Sequence, residues 1–99
     1  MNVGKLYQVK KLCWMLFPSK EIAATATAAE ATVAAFAAAF AAAYYSEKYN
    51  CYVSYISAKS IFCLLEKDGE FIKILSANGE VGWIYLAELY KDDIEEVNQ

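Results

Sequence analysis

Fourteen of the chain's 17 alanines fall in the 21 positions from Ala23 to Ala43. Alanine has the highest intrinsic helix propensity, and neither Gly nor Pro occurs between Pro18 and Gly69. Few other local structures are open to such a block. Ser19 is a good N-cap behind Pro18, and Asn50 can take the left-handed conformation that closes a helix. These signals predict one Ala-rich helix over residues 19–48. Its large apolar residues are Ile22, Val33, Phe36, Phe40 and Tyr44. From Val33 onward they step by three and four, which makes a stripe suited to packing on the rest of the chain. Opposite runs a smooth seam of Ala24, Ala28, Ala31, Ala35, Ala38 and Ala42. Glu30 is the only charge between Glu21 and Glu47.

The flanks read as strands. Residues 3–17 hold Val3, Leu6, Tyr7 and Val9, then a continuous apolar run from Leu12 to Phe17, the pattern of a strand buried on both faces. Residues 51–97 alternate and are cut by two turn signals, Asp68-Gly69 and Asn78-Gly79. Strands are expected at about 51–56, 60–66, 71–75, 81–85 and 94–97, with a helical turn at 86–89. All 99 residues fit one α+β domain.

Composition excludes several chemistries. The chain has no histidine; all nine basic residues are lysine, and the net charge is −3. A Ser-His-Asp triad, a Cys-His dyad, a histidine zinc site and an arginine finger are therefore ruled out. Lys5, Lys10, Lys11 and Lys20 make a weak basic stretch, read more simply as strand-edge protection than as a nucleic-acid surface. Cys13, Cys51 and Cys63 contain no CxxC pair and read as thiols in a reducing compartment. The acidic groups Glu66, Asp68 and Glu70, and Asp92, Asp93, Glu95 and Glu96, could in principle do acid–base work. They are better explained as solvated charge. No catalytic residue, metal site or cofactor is expected.

The run Ser60 to Leu89 resembles the second half of an SH3-like barrel of the bacterial type. The resemblance is carried by Asp68-Gly69, Phe71, Lys73, Ile74, Asn78-Gly79, Gly82-Trp83-Ile84 and Leu89, with 94–97 as closing strand. It implies a small antiparallel barrel whose first strand is Lys5–Val9, with the helix inserted after the first strands. SH3 domains bind peptides through aromatic faces. Tyr7, Trp83, Tyr85 and Tyr90 are the corresponding candidates for a groove, although the "ALYDY" signature is missing. The alternative is that Trp83 caps the core and the tyrosines cover strands. The segment Leu16-Phe17-Pro18-Ser19-Lys20-Glu21, with Gly82-Trp83-Ile84 later, is also similar to small proteins of marine cyanobacteria and their phages, a likeness that carries no activity.

A helix over 19–48 would be about 43 Å long, more than a small barrel can cover. The uncovered part lacks the charge of a solvent face. Three readings follow: the alanine seam packs on a second copy, a dimer by default; residues 22–46 span a membrane; or the helix docks on another protein. Alanine contributes little to insertion and Glu30 opposes it, so a membrane is disfavoured. The expected function is a non-enzymatic binding or assembly module. Residues 1–5 lack the hydrophobic stretch of a signal peptide, which favours a cytoplasmic or virion setting.

Overall fold

The two Gly turns form as their sequences dictate. Gly69 and Gly79 sit at φ of 61° and 87°, the left-handed region that glycine enters without a Cβ penalty. They join β5 (Ile61–Asp68), β6 (Phe71–Ser76) and β7 (Val81–Tyr85) into a meander. In this computed structural model, which describes residues 1–26 and 28–97 and the Ala28 backbone without its side chain, the meander forms one side of a five-stranded sheet.

Two further strands extend it. β1 (Leu6–Val9) lies antiparallel beside β5, and β8 (Ile94–Glu96) beside β1. The order in this five-stranded sheet is β7-β6-β5-β1-β8. A 3-10 turn at Glu88–Asp93 feeds the last strand. A register shift between Leu64 and Glu66 bends β5. The end strands β7 and β8 do not pair with each other, so the sheet is open and not a closed barrel.

A second sheet, β3-β2-β4, is built from β2 (Cys13–Leu16), β3 (Thr32–Val33) and β4 (Ser54–Ile56). Phe17 joins the two sheets. Its N–H donates to Trp83 O at 2.8 Å, and the Trp83 N–H donates to Phe17 O at 2.7 Å. Every residue of β2 is buried, as the continuous apolar run predicts. Trp14 and Leu16 enter one core with Val9, Phe62, Leu64, Ile72, Ile74 and Ile84. Met15 enters a second with Phe17, Ala23 and Val53. One strand thus serves two cores through the alternation of its side chains.

The single helix expected over 19–48 does not form. The segment divides into α1 (Lys20–Thr25), α2 (Ala28–Ala31), β3, and a 3-10 turn (Ala35–Ala37) that runs into α3 (Ala38–Lys48). The longest continuous helical stretch is thus residues 35–48. Ala26 and Ala34 are extended, with ψ of 147° and 149°. Two physical causes act together. Thr25, Thr32 and Val33 are β-branched, which weakens helix, and the Thr25 hydroxyl turns back to donate to Ile22 O at 2.7 Å. Thr32 and Val33 then gain more by pairing with Trp14 and Cys13 of β2. The chain's longest extent is 39 Å, so an unbroken helix of about 43 Å would overhang the body. Both predicted ends survive. Ser19 Oγ accepts from Ile22 N at 3.2 Å, and Asn50 takes φ 52° after α3.

Candidate interaction surface

The face of α3 turned toward the body is set by its small residues. Ala38 and Ala42 are buried, and Ala41, Tyr45 and Tyr49 pack against the second core. At 100° per residue the opposite side carries Phe36, Phe40, Ala43, Tyr44 and Glu47. Phe36 is 89% exposed, Phe40 81% and Tyr44 64%. Isolated exposed apolar residues are ordinary, but three aromatics at successive turns of one helix form a contiguous patch.

This corrects the sequence reading on both counts. The stripe expected to face the strands points outward at Phe36, Phe40 and Tyr44, and only Ile22 and Val33 are partly buried. The alanine seam is not one surface. Ala31, Ala38 and Ala42 are buried within the chain, whereas Ala24 and Ala35 are exposed on different elements. The Ala28 side chain lies outside the described residues. With the helix broken, the 100° progression restarts at each piece and phases no longer carry across.

Glu30 fixes how the pieces sit. Only 8% exposed, its carboxylate accepts from Lys48 Nζ at 2.7 Å and from the Tyr49 hydroxyl at 2.8 Å. The link ties α2 to the C-terminal end of α3, where a cation is also favoured by the helix dipole. Glu30 raises both of its partners. The hydrogen bond to Glu30 holds the Lys48 ammonium above its usual range, and burial followed by the Glu30 bond does the same for the Tyr49 phenol. Sequence reasoning treated Glu30 as a cost to insertion. Its isolation within an alanine block marked Glu30 as unusual, but its partners are 18 and 19 positions away.

The four groove candidates are not brought together. Tyr7 is buried, stacks on Phe62 and accepts from Asn2 N at 2.6 Å. Tyr90 packs on the first core and Trp83 on the second. Tyr85 alone joins an aromatic wall, stacked on Phe71 at 5.3 Å between ring centroids. These two rings line an open cleft of about 500 Å³ with Lys20, Ala24, Ala26, Asp68, Gly69 and Glu70. A hydrogen bond to Glu70 raises the Tyr85 hydroxyl above its ordinary value. Phe71 was missed as a wall residue because its partner across the register, Tyr85, lies 14 positions away.

The charged candidates are engaged singly. Lys20 pairs with Asp68, and Lys10 pairs with Glu95 at 3.2 Å. Asp93, expected to be solvated, is instead half-buried and accepts from Lys11 N, Leu12 N and Trp14 Nε1 at 2.8, 3.1 and 3.0 Å. Among the described residues no group of His, Cys, Asp and Glu is placed to hold a metal ion. All three cysteines are free thiols, Cys13 buried and Cys51 and Cys63 half-buried. No described helix is long and apolar enough to cross a membrane, and residues 22–46 do not form the one helix that the spanning reading required. Comparison with protein families, curated proteins and solved structures returned no match.

Proposed function

We propose that the chain is a non-enzymatic binding and assembly module that docks through the aromatic face of α3. The observation that carries this reading is the exposure of Phe36, Phe40 and Tyr44 on one helix side, at 89%, 81% and 64%. An aromatic side chain represents about 150–250 Å² of burial, so leaving three in water forgoes a large stabilisation. A partner surface recovers it. The β body acts as the scaffold that presents this helix. Its strand order, with a 3-10 turn before the closing strand, supports the reading as an SH3-like body carrying residues 10–60 as an elaborated first loop.

A second reading is favoured by the Phe71–Tyr85 stack. The cleft it lines would take an extended peptide against the two rings, the mode that aromatic grooves use.

The pair of substitutions Phe36→Ser and Phe40→Ser tests the main reading. Surface changes outside a core cost about 0.5 kcal/mol each, or about 3 °C in a chain of this size. The double variant should therefore melt within several degrees of the wild type. A drop of more than about 10 °C at a dilution where the wild type is itself monomeric would place these rings in the chain's own core and end the proposal.

A further inference from the structure

We infer that the occupant of the α3 face is a second copy of this chain, paired antiparallel about a two-fold axis at Phe40. The inference rests on the docking role proposed for that face and names its partner.

Size is the first argument. Weighted by their exposures, Phe36, Phe40 and Tyr44 offer roughly 450 Å². The exposed Ala35, Ala39 and Ala43 alongside bring the patch toward about 600 Å². Specific interfaces begin near 600 Å² per partner, so the patch, wholly covered by a copy of itself, reaches the lower end of that range.

Spacing is the second. The three aromatics stand four residues apart with Phe40 at the centre. A two-fold axis through Phe40 places Phe36 of each copy against Tyr44 of the other, and the surface is then complementary to itself, as a closed two-fold interface requires. Residues 31–46 carry no charge, so no like charges meet along the aromatic stripe itself.

Charge at the patch ends fixes the direction. Glu47 lies on the same face, about 10 Å along the axis from Phe40. The helical stretch begins behind Ala34, which makes no side-chain cap, about as far on the other side. Antiparallel pairing brings each Glu47 carboxylate to the uncapped, partially positive start of the other helix. Parallel pairing would set Glu47 against Glu47 and align the two dipoles.

Sedimentation equilibrium across the micromolar range tests the pairing. The expected result is a mass twice the 11.0 kDa of one chain, returning to one chain in the Phe36→Ser, Phe40→Ser variant, which melts with the wild type when both are diluted to monomer. A wild type that stays monomeric overturns the inference. So does a mass that grows without limit, the sign of a head-to-tail contact. Direction is read by oxidation of cysteine variants, with linkages located by peptide mass mapping. Phe40→Cys chains should link to each other, and Phe36→Cys chains should link to Tyr44→Cys chains in a mixture. Linkage of Phe36→Cys to itself and not to Tyr44→Cys would show parallel pairing and overturn the antiparallel arrangement. A monomeric wild type whose variant keeps its melting temperature sinks only the second copy; a melting temperature that collapses even at monomeric dilution sinks the docking face.

Discussion

The Tyr49 hydroxyl donates to Glu30 Oε1 at 2.8 Å and thereby joins the end of α3 to a carboxylate that α2 keeps 8% exposed. Removing the carboxylate strands two donors at once. The Lys48 side chain is 45% exposed and can turn to water, so its share is small. Tyr49 is the larger loss. Glu30→Ala should cost about 2–3 kcal/mol, measured by urea unfolding, and Glu30→Gln roughly half of that, because the amide oxygen can still accept. Equal costs for both variants would show that the charge, not the hydrogen bond, is what matters.

Alkali should destabilise the fold. Burial raises the phenols of Tyr45 and Tyr49, and the Glu70 hydrogen bond raises that of Tyr85. An unfolded chain therefore gives up these protons first, from about pH 10. Stability falls as pH rises from there until the folded phenols ionise. Lys20, Lys48 and Lys91 are each raised by a hydrogen bond to a carboxylate, and their contribution is full below the unfolded value and lost through the raised folded one. Both sets give the same sign. Denaturant midpoints should be flat from about pH 7 to about pH 9 and fall steadily above about pH 10; a rise there would contradict the assignment.

Gly82 should not tolerate a methyl group. A Cβ at this position would lie 2.7 Å from Leu16 Cγ and 2.8 Å from Phe17 O. Its backbone needs no left-handed conformation, so the conflict is one of space alone. Gly82→Ala should cost about 1–3 kcal/mol by prying β2 from β7. An unchanged urea midpoint would mean that the two sheets do not approach this closely.

Asp93 is expected to be a structural acid. Its side chain accepts from two backbone N–H groups and the Trp14 indole, and its carbonyl accepts from Lys10 N at 2.8 Å. Asp93→Ala should lower stability by about 2–4 kcal/mol, since charged hydrogen bonds contribute about 1.5–3 kcal/mol each and water can reach some of the freed donors. Asp92→Ala, at an exposed position one residue earlier, should change it by about 0.5 kcal/mol or less.

Local signals carried the strands well. The Asp68-Gly69 and Asn78-Gly79 turns, the alternation around them and the doubly buried run at Cys13–Leu16 all depend on near neighbours, and each element stands where its pattern puts it. The caps at Ser19 and Asn50 are local too. Helix continuity was not legible, because it was decided by a contact across the chain: Thr32 and Val33 are worth more beside β2 than inside a helix. With continuity went the phase of the aromatic stripe, so Phe36 and Phe40 were assigned to the wrong side. Which groups Glu30 and Asp93 would bind was not legible for the same reason, their partners lying 18 or more positions away.

The neck of the long excursion between β1 and β5 bears on the order of folding. Val9 N donates to Ser60 O at 3.1 Å, and Lys59 N donates to Val9 O at 2.8 Å, closing some fifty residues into a loop. Closing a loop of that length costs about 3 kcal/mol beyond a fixed constant, before the β1–β5 ladder returns anything. The β5-β6-β7 meander needs only its own short turns. It is therefore the natural nucleus, and β1, made before both of its partners, must wait unpaired on both edges until residue 60 and beyond have emerged and found their register.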